Sequence, residues 1–288
     1  MSLRLKMIYS CLTGAWGGYI AWLLLDPLLG VQAANVYVDA MLNGAVIGIA
    51  IGAIMSGFEG AMERNAAVLI RRLVSGFVAG LVGGVLGLLI GELLFQQFTQ
   101  ATVMRVIGWA LFGLAIGVGE GVLSRSWRRV LLGAVGGLVG GVLGSLAFLW
   151  VSQTLALPAF SRALGFTLLG AFIGLFIGLI PVVASGVLGA LGTLKVISSG
   201  RHEGKEILLD KPVISIGRDD GCDLGLYGVA DVQPRHAEVK REPTGYVVRR
   251  LNNASLWVNG QPVQQQILQS GDRIKAGGAE ILFRAGGG

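Results

Sequence analysis

The chain has 288 residues, of which 53% are hydrophobic and only 14% are charged, and its mean hydropathy is +0.69. Soluble domains carry about a quarter charged residues, so this composition excludes an ordinary soluble protein and indicates a membrane protein. The net charge of +6 is spread along the chain rather than clustered, which argues against a nucleic-acid-binding surface.

Six apolar segments in the first two thirds of the chain are each long enough to cross the roughly 30 Å hydrocarbon core of a bilayer. They cover residues 7–25, 41–58, 73–95, 106–123, 130–151 and 164–184. With the N-terminus inside, the inner segments hold eight Lys and Arg residues, whereas the outer loops hold only Arg105 and Arg162. This bias follows the positive-inside rule, so the sequence predicts an integral membrane protein with both termini in the cytoplasm.

The apolar region repeats itself, and its glycines recur every four residues. Gly-Ile-Ala-Ile-Gly at 48–52 returns as Gly-Leu-Ala-Ile-Gly at 113–117 and more weakly at 174–178, and the segment 80–87 returns unchanged at 137–144. This pattern predicts helical hairpins whose backbones approach closely along small-residue faces. Two interpretations stay open: packing within one bundle, or a homo-oligomeric glycine zipper, with or without a pore.

No ionisable residue lies near the middle of a predicted span, and four acidic residues lie near span ends: Asp26, Glu59, Glu92 and Glu120. A transporter or proton path usually needs an ionisable group in the bilayer interior, so these positions weaken a transport function without excluding it. We expect Glu59 and Glu120 to pair with Arg64 or Arg125 in the basic turns beside them.

A linker rich in small residues, 185–192, separates the apolar region, 1–184, from residues 193–288, where the hydrophobic pattern alternates with a period of two. Turn pairs such as Asp220-Gly221 separate nine predicted strands. These strands cover residues 194–198, 205–209, 213–216, 223–226, 237–241, 246–251, 256–258, 273–275 and 279–283. The sequence therefore predicts an α-helical membrane bundle of six spans followed by an all-β sandwich.

Three short motifs give the β region a resemblance to a known family. They are Ile-Gly-Arg at 216–218, Pro-Arg-His-Ala at 234–237 and Val-Asn-Gly at 258–260. In order and spacing they resemble a forkhead-associated (FHA) domain, a β-sandwich that usually reads phosphothreonine peptides. The resemblance covers residues 194–283. By this resemblance, the structural residues of the motif are Gly217, His236, Asn259 and Gly260.

The same resemblance implies a peptide-binding site. Arg218 matches the family's phosphate-holding arginine, whose planar guanidinium suits a phosphate. Gln233 stands where the family usually has a phosphate-binding serine, and residues 252–255 replace its Thr-Asn-Gly-Thr loop with one residue fewer. The candidate phosphopeptide-binding residues are Arg218, Gln233, Arg235 and Asn253. Three roles stay open for the domain: phosphothreonine binding, phosphate-independent protein contact, and a purely structural role.

The sequence carries no enzymatic or metal-binding signature. The two cysteines, Cys11 and Cys222, and the two histidines, His202 and His236, do not form a ligand cluster. Neither a nucleophile–base pair nor a phosphate-cradling Gly-rich loop is recognisable. We therefore expect no catalytic residue, no metal site and no cofactor.

The sequence favours an integral membrane scaffold or adaptor of the bacterial inner membrane that presents an FHA-like domain to a cytoplasmic partner protein. Whether that partner is threonine-phosphorylated stays open. The expected partners are the lipid bilayer and this protein, with homo-oligomer formation open and no nucleic acid. The alternative is a channel or transporter built from glycine-zipper helices and regulated by the FHA-like domain.

Overall fold

The computed structural model of the chain describes residues 3–26, 35–63, 65–97, 101–123, 126–187, 191–200 and 202–286. Two compact units are present. One is Lys6–Val183, and the other combines Met1–Leu5 with Ala184–Gly288.

In the described residues, six long helices precede the β domain, and each contains one of the spans that the sequence predicts. They are α1 (Leu3–Leu25), α2 (Val36–Met62), α3 (Ala66–Gln97), α4 (Ala101–Leu123), α5 (Trp127–Thr154) and α6 (Pro158–Val187). Three of them, α2, α3 and α5, begin before the predicted spans, where the side chains of Asn35, Asn65 and Ser126 cap them. The Asn35 side chain accepts a hydrogen bond from the Tyr37 N–H at 2.9 Å, and this bond satisfies a donor at the start of α2.

Consecutive helices pack side by side and α6 returns to α1, so the six helices form a closed ring. The closest pairings join α2 to α3, α4 to α5 and α6 to α1 through glycines. In each pair a Cβ atom on either glycine would overlap the other's carbonyl oxygen: Gly48 with Gly80, Gly113 with Gly137, and Gly14 with Gly170. The remaining contacts of the ring place a glycine on a larger residue of the next helix: Gly17 on Ile51, Gly87 on Phe112, and Gly140 on Ile173.

These contacts account for the glycine content of the helices. Every helical glycine whose surroundings are described lies so close to another part of this chain that a Cβ atom would meet it within 3.0 Å. The glycines are therefore used inside one bundle, which favours the first of the two interpretations of the four-residue spacing.

Apolar side chains fill the centre of the ring. Ile47, Phe112 and Ile173 occupy equivalent positions in the three sequence repeats, and they are 1%, 0% and 0% exposed. Ile51 and Ile116, one helical turn further along, are buried in the same cluster. Among the described residues the ring thus has a packed apolar centre rather than a polar passage.

Ion pairs fasten α1 at both of its ends. Near its start, Lys6 Nζ lies 2.7 Å from Glu59 Oε1 of α2, and Arg72 of α3 binds the other carboxylate oxygen. Beyond its end, Asp26 Oδ1 accepts a bond of 2.7 Å from Arg162 Nη2 of α6. Glu59 thus has two partners that the sequence does not suggest, while Arg64 and Arg125 lie outside the described residues and the Glu120 side chain is not described.

The described residues of the β domain form eleven strands. They are β1 (Thr193–Val196), β2 (Glu206–Leu208), β3 (Val213–Gly217), β4 (Leu224–Gly225), β5 (Ala237–Glu242), β6 (Gly245–Arg250), β7 (Leu256–Val258), β8 (Gln261–Pro262), β9 (Gln265–Leu268), β10 (Arg273–Ala276) and β11 (Ala279–Arg284). The nine predicted strands are present with small shifts at their ends. The nine predicted strands do not include β8 and β9, which lie between residues 258 and 273.

The strands form two sheets, one in the order β2-β1-β11-β10-β7-β8 and the other in the order β4-β3-β5-β6-β9. Inward-facing residues of both sheets join one buried core that includes Leu194, Ile216, Val248, Ile281 and Phe283. Alternation along each strand produces this core: in β11 the residues Ala279, Ile281 and Phe283 are buried and their neighbours are not. The predicted fold class, six apolar helices followed by a β-sandwich, is confirmed.

Candidate functional site

The candidate site lies where β3 ends, beside the segment that leads into β5. We call residues 217–222 the Gly-Arg turn and residues 226–236 the first loop. The Arg218 N–H donates to the Gln233 carbonyl at 3.1 Å, and the Asp219 N–H donates to the Pro234 carbonyl at 3.0 Å. A Cβ atom at Gly217 would overlap the Pro234 carbonyl oxygen, so only glycine lets the two segments lie this close.

His236 joins the first loop to residues 251–255, which we call the second loop. Its side chain is fully buried. Its Nδ1 accepts the Gln233 N–H at 3.2 Å, and its Nε2 lies 2.8 Å from the Ser255 carbonyl, so the neutral ring with its proton on Nε2 satisfies both partners. Burial lowers the pKa of His236 below its usual value, against a smaller opposing effect of the Ser255 carbonyl. His236 therefore braces the two loops.

The second loop contains two consecutive residues in the left-handed region, Asn252 at φ 50° and Asn253 at φ 54°. Asparagine adopts this conformation more readily than most residues. Both asparagines are exposed, and the Asn252 side-chain amide donates to the Arg235 carbonyl at 3.4 Å. The sequence resemblance selects Asn253 instead. Sequence reasoning misses Asn252, and the Asn-Asn pair is the signal that points to the left-handed loop.

Charged and polar side chains surround the meeting point of these segments. Arg218 and Arg235 are exposed and Gln233 is half-buried. Within the described part of the chain, neither guanidinium forms a hydrogen bond or an ion pair. The carbonyls of Gln233, Pro234 and Arg235 are already bonded, to Arg218, Asp219 and Asn252 respectively. The side chains that stay available at residues 218, 233 and 235 are two guanidiniums and an amide, and such donors suit an anion, although the exposed Asp231 lies in the same loop.

Two polar groups, the Cys222 thiol and the Asp223 carboxylate, lie at the end of the Gly-Arg turn. The Cys222 thiol is buried and donates to the Pro234 carbonyl at 3.3 Å, and burial raises its pKa. Burial alone would raise the pKa of Asp223, but bonds from Lys211 at 2.6 Å and from the Ser215 N–H and hydroxyl at 2.9 and 2.8 Å outweigh that effect and lower it. Asp223 is therefore held ionised between β3 and β4.

Asn259 and Gly260 form the turn between β7 and β8, with φ values of 52° and 82°. The Asn259 side chain donates to Asp272 Oδ1 at 2.8 Å and accepts the Arg273 N–H at 2.9 Å. This pair therefore ties its own turn to the Gly271-Asp272 turn, a role distinct from that of the residues around Arg218.

A family model described as the inner membrane component of T3SS, cytoplasmic domain, matches residues 196–287. Among curated proteins, the oxoglutarate dehydrogenase inhibitor of Corynebacterium efficiens is 34% identical over 100 residues, a match that covers 34% of this chain and 70% of that protein. The glycogen accumulation regulator GarA of Mycolicibacterium smegmatis is 33% identical over 94 residues, with 32% of this chain and 59% of the regulator covered. The chain thus spans 59% to 70% of the length of these two relatives.

Solved structures of FHA domains are similar to the same segment. One from a study of phosphothreonine-dependent FHA domain interactions is 28% identical with a TM-score of 0.30, and the match covers 33% of this chain and 96% of that chain. The FHA domain of FhaA, complexed with an intracellular domain of another protein, is 29% identical with a TM-score of 0.29, and the match covers 32% of this chain and 99% of that chain. This chain belongs to the FHA domain proteins. Its FHA domain follows six apolar helices.

The FHA domain brings three of the four candidate binding residues to one place. Arg218 comes from the Gly-Arg turn, while Gln233 and Arg235 come from the first loop bonded to it. Asn253 lies on the second loop, next to the residue that contacts Arg235. Within the described residues no group of three His, Cys, Asp or Glu side chains could hold a metal ion.

Proposed function

We propose that this protein is a membrane adaptor whose FHA domain binds a phosphorylated threonine on a cytoplasmic partner protein. The observation that carries the proposal is the set of unused donors around Arg218 and Arg235, next to carbonyls that are already bonded. A ligand that binds these donors brings acceptors and negative charge, and a phosphate brings both.

The membrane setting follows from two further observations. The family model that matches the domain describes the cytoplasmic domain of an inner membrane component, and the excess of Lys and Arg in alternate loops predicts the same side for both termini. We assign residues 1–184 to the membrane bundle, 185–192 to the linker and 193–288 to the domain that meets the partner.

Each candidate residue has a distinct role in this proposal. Arg218 holds the phosphate through its guanidinium, and Arg235 adds a second positive charge beside it. Gln233 and Asn253 supply side-chain amide donors to the phosphate and the peptide backbone. His236 stays neutral and buried, so it keeps the loops in register without touching the ligand.

The test is binding of the full-length protein in lipid nanodiscs to a degenerate phosphothreonine peptide library and to its unphosphorylated twin. We expect binding only to the phosphorylated library. A charge-assisted hydrogen bond contributes about 1.5–3 kcal/mol, so Arg218→Ala should weaken binding by about tenfold to a hundredfold. Arg241→Ala is the matched control, because Arg241 is an exposed arginine at the opposite end of β5 from both loops.

Equal binding to the two libraries, unaffected by Arg218→Ala, would contradict phosphate recognition and leave a phosphate-independent docking domain. The transport alternative rests on the repeats and the glycine spacing, and the packing of Ile47, Phe112 and Ile173 at the centre of the ring argues against it. Solute flux through the same protein in proteoliposomes would revive that alternative.

A further inference from the structure

Among the described residues, three polar contacts join the first loop to the second loop. Two of them involve His236, whose carbonyl accepts the Leu251 N–H at 2.9 Å and whose Nε2 lies 2.8 Å from the Ser255 carbonyl. The third is the bond of 3.4 Å from the Asn252 amide to the Arg235 carbonyl. Because Asn252 and Arg235 are both exposed, this third contact lies on the ligand side of the loops, whereas His236 holds them from within.

The Asn252 bond fixes the peptide group between Arg235 and His236. That peptide group ends in the His236 N–H, which donates to the Ile216 carbonyl of β3 at 2.8 Å. With Asn252 on its oxygen and Ile216 on its N–H, the peptide group is held at both ends. Without Asn252 the oxygen would face water and the backbone of Arg235 could rotate. The direction in which Arg235 points therefore depends on a side chain in the other loop.

We infer that Asn252 is a positioning residue, whose amide holds the first loop in the conformation in which the donors of Arg218, Gln233 and Arg235 converge. For its effect on binding, this inference rests on the proposed function. It separates the roles of two neighbouring asparagines, because Asn252 acts through Arg235 whereas Asn253 acts on the ligand.

The chain supplies a matched pair of variants for the test. Asn252 and Asn253 have nearly the same backbone conformation, with φ of 50° and 54°, and glycine tolerates both. Asn252→Gly and Asn253→Gly therefore add the same backbone freedom to the second loop, and they differ in one respect: only the first removes the bond to Arg235.

The first measurement needs no ligand. Amide hydrogen exchange of the full-length protein in nanodiscs reports the order of the first loop through the Asp219 and Gln233 amides, which are bonded to Pro234 and His236. Loss of one exposed hydrogen bond should speed their exchange about threefold in Asn252→Gly, with little change in Asn253→Gly. Equal exchange in the two variants would overturn the inference.

The second measurement is a double-mutant cycle on phosphothreonine-peptide binding. If Asn252 acts through Arg235, Asn252→Gly should weaken binding about threefold in the native background and hardly at all in Arg235→Ala. Effects of Asn252→Gly and Arg235→Ala that simply multiply would overturn the inference. If the native protein binds no phosphopeptide, the proposed function fails, and the exchange experiment still decides the role of Asn252.

Discussion

In the helical unit glycines lie at the contacts between helices, whereas in the FHA domain they lie at single turns. In the helices, Gly48 and Gly80 are one of several pairs that recur every four residues and bring two backbones together along their length. In the FHA domain, Gly217 allows one close approach, and Gly260 and Gly271 have φ values of 82° and 99° that few other residues adopt.

This difference changes how each region responds to substitution. A helix pair with several equivalent glycines must separate along its whole length when one of them is enlarged, because the helices are rigid. A loop can deform at one place and leave the sheets intact. Enlarging one glycine is therefore expected to unfold the helical unit, whereas in the FHA domain it is expected to disrupt only the binding site.

The largest effect is expected for Gly48→Leu in α2. Its side chain would enter the space of the Gly80 carbonyl and force α2 and α3 apart, at a cost of about 3 kcal/mol or more. Thermal unfolding and the monodisperse fraction in detergent measure this loss. Val78→Leu is the control, because Val78 of α3 is 50% exposed on the outside of the ring. Equal stability of the two variants would contradict the packing described for α2 and α3.

A smaller and more local effect is expected for Gly217→Ala. The added methyl group collides with the Pro234 carbonyl, so the Gly-Arg turn must move away from the first loop, at a cost of about 1–3 kcal/mol. Hydrogen exchange of β3 and β5 should increase while that of the helices stays unchanged. Gly221→Ala provides the comparison, because the nearest atom to its added Cβ would be Asp219 Oδ1 at 4.0 Å. An equal response in both variants would show that the close approach at Gly217 does not matter.

The sequence predicts the helices well and their partners only in part. Long apolar runs identify six spans because hydrophobic length is a property of each segment alone. The four-residue glycine spacing also identifies the contacting faces. Nothing local indicates that α6 pairs with α1, because Gly14 and Gly170 are far apart in the sequence. Likewise, the partners Lys6 and Arg72 of Glu59 come from two other helices.

The same limit applies to the FHA domain. The motif residues Gly217 and His236 are recognisable because they belong to short motifs that resemble the FHA family, although their partners Pro234 and Ser255 are far away in the sequence. Strand β9 lies in a glutamine-rich segment without apolar alternation, and its pairing with β6 is what makes it a strand. Asn252 is missed because it belongs to none of these motifs, and its contact with Arg235, 17 residues away, appears only in the fold.

A moderate effect is expected for Glu59→Gln. The change leaves Lys6 and Arg72 without their shared carboxylate, and we expect a loss of about 1–2 kcal/mol, less than for a fully buried pair because the Lys6 side chain is 44% exposed. Thermal unfolding in nanodiscs measures it. Asp26→Asn at the other end of α1 removes one ion pair rather than two, so its effect should be smaller. A larger loss of stability for Asp26→Asn than for Glu59→Gln would contradict the expectation that the ion pairs of Glu59 stabilise the bundle more than the ion pair of Asp26 does.

The smallest effect concerns pH and separates the two regions most cleanly. Burial lowers the pKa of His236 in the folded domain, so below the usual histidine pKa of about 6.5 the unfolded chain binds a proton that the folded domain does not. The contribution of His236 to stability is therefore present above about pH 6.5 and is lost as the pH falls through the lower pKa of the folded domain.

Protonation would also turn Nδ1 from an acceptor into a donor that faces the Gln233 N–H, so the first loop should loosen in acid while the helical ring does not. Histidine NMR titration of the full-length protein, assigned with His202→Gln, should give His236 a pKa below 6.5. Hydrogen exchange of the Gln233 amide, corrected for its intrinsic pH dependence, should rise between pH 7 and 5. A pKa at or above the usual value would mean that His236 is not the neutral brace between the loops, and the donor-rich surface beside Arg218 would then need another explanation.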